Sequence, residues 1–240
     1  MPEAAIDREQ LEREAVRVYL RYAQEAVEAL GLCPWARAAR EEGRVELRVV
    51  FGREPQLTAA LAAIDSVSAR AETDIALLLF PELELDRVPF AHFVSELRAA
   101  DAARYAVGDA PFALADFHPN AVADTGTPER LVPFIRSSPD PTVQLVRRSA
   151  LEAVRMTDAQ GTSFFDASRM SLAELLDSAA PTPPLAQRIA KQNLRTLEKL
   201  GIERVAAIFR DVIRDRDASY AALGVKLPAW AKARTSLDED

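Results

Sequence analysis

The segment Asp74–Phe80, DIALLLF, constrains the fold more than any other stretch of this chain. Behind Asp74 the residues are apolar without alternation, which is the pattern of a strand buried on both faces. Such a strand must be covered from above and below, so the chain has to build a layered structure around it. The run is far too short to cross a bilayer, which takes about 20 apolar residues.

Its neighbours supply the layers. Across Arg44–Phe51, Val45, Leu47, Val49 and Phe51 fall on one face and Arg44, Glu46 and Arg48 on the other, predicting a strand with one wet side. Phe112–Phe117 predicts a third strand, with a short partner at Tyr105–Val107. Helical spacing links them. A helix opened by Pro55 carries Leu57, Leu61 and Ile64, and residues 88–104 carry Phe90, Val94 and Leu97. The clearest helix spans 8–30, with Leu11, Ala15, Val18, Tyr22, Ala26 and Ala29 as one stripe and Gly31 as its stop. A short helix is expected from Pro34 to about Glu41.

These elements predict an α/β (α+β) fold. Its core is a small open sheet of three to four strands in β-α-β-α-β order, ferredoxin-like or similar, with the long N-terminal helix and the C-terminal helices covering what remains. Residues 118–141 read as a long loop, a feature that is usually functional. A helix is expected from Thr142 to about Met156. Residues 157–183 read as an insertion or lid, followed by helices over 184–200 and 202–216 separated by Gly201. One domain is expected over 1–217, with 218–240 a loosely ordered tail.

Composition narrows the function. The net charge is −7, and the arginines are interleaved with Glu and Asp as on a solvated helical face, so nucleic acid is not an expected partner. No membrane association is expected either. The N-terminal residues are acidic and carry no apolar signal core, and the single cysteine, Cys33, suits a reducing compartment, so a cytoplasmic location is expected. Neither a glycine-rich nucleotide fingerprint nor a nucleophile elbow is present. Cys33, His118 and Asp116 could meet in space, but no pair has metal-ligand spacing, so no metal site is expected.

Three polar clusters can carry chemistry. Cys33 stands beside an expected helix start, where free N–H groups and the helix dipole favour a thiolate; the plain alternative is a small buried apolar residue. His118 ends the third strand, where open α/β sheets place ligands, and could shuttle protons; equally, it could order the loop through backbone bonds. His92, in the middle of a helix, is expected to be exposed and idle. Arg136-Ser137-Ser138-Pro139, followed by Arg147, combines arginine and hydroxyl groups beside an expected helix capped by Thr142, a recipe for holding phosphate or carboxylate. An arginine on the partly apolar row with Val143 and Val154 needs a partner, either a ligand or a carboxylate such as Asp116.

At these same residues the sequence resembles a known bacterial family, domain of unknown function 1415. The resemblance rests on Gly31-Leu32-Cys33-Pro34-Trp35-Ala36, Phe117-His118-Pro119, Arg136-Ser137-Ser138-Pro139, Leu145-Val146-Arg147 and the late Ile189-Ala190-Lys191-Gln192-Asn193. It implies a shared fold unit and a set of marked positions, Asn193 among them, but no activity.

Three functions are consistent with these residues. The first is an enzyme acting on a small anionic metabolite, a carboxylate or phosphate, with Cys33 as nucleophile, His118 as proton carrier, Arg136 and Arg147 as anion holders, and Ser137, Ser138 and Asn193 orienting the substrate. The second is a non-catalytic or regulatory protein that binds the same kind of anion. The third is a structural protein in which these polar groups brace loops. No cofactor and no oligomeric state are specified.

Overall fold

Every strand of the sheet presents one side chain in two to each face, and both faces are covered. The computed structural model describes residues 7–33, 35–152 and 185–231. The strands are β1 (Val45–Val49), β2 (Ile75–Leu79), β3 (Phe112–Phe117) and β4 (Thr142–Arg147), in spatial order β1-β2-β4-β3. β1 and β2 are parallel, and β4 runs antiparallel to both of its neighbours, β2 and β3. The open sheet, its β-α-β-α-β core and the long N-terminal helix are as the sequence reads.

On one face, Ala76, Leu78, Phe112, Leu114, Val143 and Leu145 pack beneath α3 (Leu57–Ser68) and α4 (Arg87–Ala102). These two helices are the crossovers after β1 and β2, which strands running in the same direction require. On the other face, Val45, Leu47, Ile75, Leu77 and Leu79 meet α1 (Arg8–Tyr22) and the C-terminal helices. β2 is the strand buried on both sides, each of its five residues being shielded from solvent.

α1 starts at Asp7, whose carboxylate accepts hydrogen bonds from the N–H groups of Glu9 and Gln10. At Ala23 the helix widens into a π-helical stretch, Ala23–Glu28, in which the Ala29 N–H reaches back to the Gln24 carbonyl. The wider turn rotates the apolar stripe, so Ala26 stays buried while Ala29 faces solvent. Gly31, at φ 65°, ends the run in the left-handed region that glycine adopts without strain. A short helix, α2 (Ala36–Glu41), follows.

Three segments differ from their sequence reading. Thr142–Arg147 is strand β4 and not a helix; Thr142 and Gln144 face one way and Val143 and Leu145 the other, and a two-residue period cannot share a helical row. Inside the expected loop, Thr127 caps a helix, α5 (Pro128–Ile135), whose Leu131, Phe134 and Ile135 are buried. The expected strand at Tyr105–Val107 is a turn.

α6 (Leu185–Leu200) and α7 (Ile202–Ala222) close the fold, hinged at Gly201. Arg17 and Arg21 of α1 pair with Asp211 and Asp215 of α7. Residues 218–231 are not loose: Tyr220, Val225 and Trp230 are buried. They are held by Arg216, which is fully buried, stacks on Tyr220 and Trp230, and pairs with Asp140 at 2.8 Å. The expected insertion at 157–183 and residues 232–240 lie outside the described residues.

Candidate functional site

Between the sheet face that meets α1 and the C-terminal helices, and the helices that cover it, lies a cavity of about 430 Å³. Its floor is Val45, Leu47, Ile75 and Leu77 from β1 and β2, with Gln144 of β4 and Phe117 at the end of β3. Its walls come from α1 and the π-helical stretch, from α2, and from α5 and α6. The volume falls within the roughly 300–1,000 Å³ of small-molecule sites, and the lining is mainly apolar, as in such sites.

Arg136 is the C-terminal cap of α5 and projects from it into this cavity. Its backbone is fixed on both sides. Its N–H donates to the Val132 and Pro133 carbonyls, and its own carbonyl accepts from the N–H groups of His118 and Ser138, both at 3.0 Å. The guanidinium lies 5.5 Å from the centre of the Phe117 ring. Among the described residues no carboxylate forms an ion pair with it. Burial lowers its pKa and the field of Asp116 partly opposes this, while an arginine remains a cation throughout.

Cys33 lines the same cavity, in the turn before α2. Burial pushes its thiol up to about 11, against the weaker pull of the Trp35 and Ala36 N–H groups, and the negative field of Glu28 adds to the rise. Cys33 also stands outside α2, whose N-terminal cap is Trp35. The expected activation by a helix start is therefore outweighed, and the thiol is neutral at physiological pH. Arg37, in the first turn of α2, points to Glu28 at 3.7 Å.

His118 is held away from the cavity lining. It is 2% exposed, its Nε2 lies 3.1 Å from the Leu85 carbonyl, and its Nδ1 accepts the Asn120 N–H at 3.1 Å. Accepting at Nδ1 leaves the proton on Nε2, so the ring donates to Leu85. Phe90 and Trp230 pack against the ring. His118 orders its loop and, through its own N–H, the Arg136 backbone. His92 is exposed.

The remaining expected site residues divide. Asn193, on the buried face of α6, lines the cavity. Ser138 is fully buried and donates to the Asp140 carbonyl, while Ser137 is buried beside it; neither lines the cavity. Arg147 sits at the far end of β4, where its Nε and Nη2 donate to the Thr73 and Arg70 carbonyls, both at 2.8 Å, and its guanidinium stacks on Phe112. It faces the opposite side of the sheet from Gln144 and takes no part in the cavity.

Two polar features were not anticipated. Gln144 stands on the cavity floor, opposite Leu77 and among apolar floor residues. Glu28, its side chain only 4% exposed, is gripped by Arg40 at 2.6 and 2.9 Å, so this acid is neutralised within the wall. The π-helical widening is what turns Glu28 toward α2. Among the described residues no group of acidic, histidine or cysteine side chains is arranged to hold a metal, and no helix is long and apolar enough to cross a membrane.

The model of one family, the proteins of unknown function DUF1415, matches residues 14–166. The chain belongs to this family. The match includes Cys33, His118, Arg136 and Arg147 and stops before Asn193. No curated protein and no solved structure matches the chain.

Proposed function

We propose that this protein binds a small anionic molecule in the cavity, with Arg136 as the anchor. The observation that carries this reading is a largely buried guanidinium, on a hydrogen-bonded backbone, facing an apolar space with no acid of the described chain paired to it. A cation withdrawn from water loses solvation that only a counter-charge or hydrogen-bond acceptors restore. A ligand carboxylate or phosphate restores it through charge-assisted bonds, each contributing about 1.5–3 kcal/mol. Gln144 and Asn193 supply uncharged donors and acceptors to the same space.

Binding without catalysis is favoured over an enzyme that uses Cys33 and His118. The thiol is neutral at physiological pH, and both ring nitrogens of the histidine already bond the chain. The purely structural reading suits Ser138 and Arg147, whose bonds are all internal, but leaves Arg136 unexplained. A cytoplasmic location is part of the proposal, supported by the lone cysteine and the acidic net charge.

The test is a melting-temperature screen against organic carboxylates and phosphates, run on the wild type and on Arg136→Gln. At least one anion should raise the wild-type Tm and leave that of the variant unmoved, because ligands stabilise only the state they bind. Equal shifts in both proteins would remove Arg136 from the site.

A further inference from the structure

Resting on that reading, the cavity itself narrows the ligand to one class: we propose a monocarboxylate with a sizeable apolar body, an aryl-alkanoate or medium-chain alkanoate, held with its carboxylate on Arg136 and its body on the β1–β2 floor.

The charge follows from what surrounds the guanidinium. Arg136 supplies one positive charge. The second arginine of the lining, Arg40, is already matched by Glu28. Glu129 stands exposed at the rim and adds none. Arg136 also sits at the C-terminal end of α5, the negative end of the helix dipole, and within the field of Asp116. Both oppose a second negative charge. A phosphate monoester, close to a dianion at neutral pH, would keep most of its charge uncompensated in a largely dry site. A carboxylate matches the single planar fork of an arginine.

The body follows from the floor. Val45, Leu47, Ile75 and Leu77 present a continuous aliphatic surface, and Trp35, the residue before α2, lines the same cavity. A small hydrophilic anion would satisfy Arg136 and leave this surface in contact with water. An apolar chain or ring displaces that water and adds affinity in proportion to the area covered. Gln144 pairs with Ala115 across β3–β4 and shares its sheet face with Phe117, which is diagonal to it and pairs with Thr142, so its amide lies toward the Arg136 end and suits the second carboxylate oxygen.

The experiment is titration calorimetry on the full chain with octanoate, 3-phenylpropionate, 1-octanol, acetate and inorganic phosphate, repeated with Arg136→Gln. Circular dichroism of the variant confirms folding, and Arg136→Lys serves as a second variant should the first not fold. Octanoate or 3-phenylpropionate should bind at least tenfold more tightly than 1-octanol, acetate or phosphate, and Arg136→Gln should remove that advantage over the alcohol. Acetate or phosphate binding as tightly as octanoate would overturn the apolar-body assignment and leave the anion reading standing. Octanol binding as tightly as octanoate, or no binding by any probe, would overturn both.

Discussion

The Arg136 guanidinium rests over the Phe117 ring at 5.5 Å, so the ends of two consecutive elements, strand β3 and helix α5, together aim one cation into an apolar cavity. The arrangement is preorganised: two N–H groups, from His118 and Ser138, hold the Arg136 carbonyl before any ligand arrives. A positioned cation loses little conformational freedom on binding, which is where much of the cost of recognition lies.

Cys33 separates the binding reading from the enzymatic one. With its thiol pushed up to about 11, the thiolate is scarce near neutral pH. Alkylation by iodoacetamide at pH 7.5 should be roughly a hundredfold slower than for an ordinary cysteine and should rise tenfold per pH unit up to about pH 11. Measured in His118→Ala, the profile should be unchanged. Fast alkylation at neutral pH that falls when His118 is removed would restore a nucleophile–base pair.

Asp140 and Arg216 predict an asymmetry in stability. Arg216 is fully buried and bonds Asp140, which also accepts the Tyr220 hydroxyl at 2.6 Å. Asp140→Ala leaves the buried cation with Asp217 as its remaining acid partner and takes the acceptor from the Tyr220 hydroxyl, and should cost about 3 kcal/mol in urea denaturation. Asp140→Ala combined with Arg216→Met should cost less than Asp140→Ala alone. Simple additivity of the two changes would contradict a buried pair.

Arg147 should affect folding and not binding. Its two bonds to the Thr73 and Arg70 carbonyls tie β4 to the turn before β2. Arg147→Gln should lower stability by about 1–3 kcal/mol. Calorimetry with octanoate should return the wild-type Kd, and a weakened Kd would bring Arg147 back into the site.

Gln144 should do the reverse. Beside Leu77 and Ala115, its aliphatic cross-strand partners, an amide contributes little to packing. Gln144→Leu should keep or raise the Tm while reducing affinity for carboxylates severalfold, read from paired melting and binding curves. Unchanged affinity would exclude the amide from ligand contact.

Much of this was legible because periodicity is a local signal. DIALLLF identified the central strand, and the alternation of Val45, Leu47 and Val49 identified the edge strand. Thr142–Arg147 was misread because Pro139 and Pro141 followed by Thr142 imitate a helix start; the alternation of Val143 and Leu145 with Thr142 and Gln144 was the better guide. Thr127-Pro128, a cap followed by proline in the first turn, marked α5 and was passed over. Cys33, Arg136 and Asn193 were singled out from sequence and do line one cavity. The direction of the Cys33 shift was not legible, because burial in the folded chain outweighs the pull of the Trp35 and Ala36 N–H groups. Glu28 escaped notice because its partner Arg40 lies on a different helix, a contact that periodicity does not reveal.

The most direct measurement of the central claim is the Arg136 Nε–Hε resonance in a ¹⁵N NMR spectrum, assigned by Arg136→Lys, during titration with 3-phenylpropionate and, separately, 3-phenylpropanol. The account predicts that the acid shifts this resonance saturably while the alcohol leaves it nearly still. An acid that saturates other resonances and never moves Arg136 would contradict it.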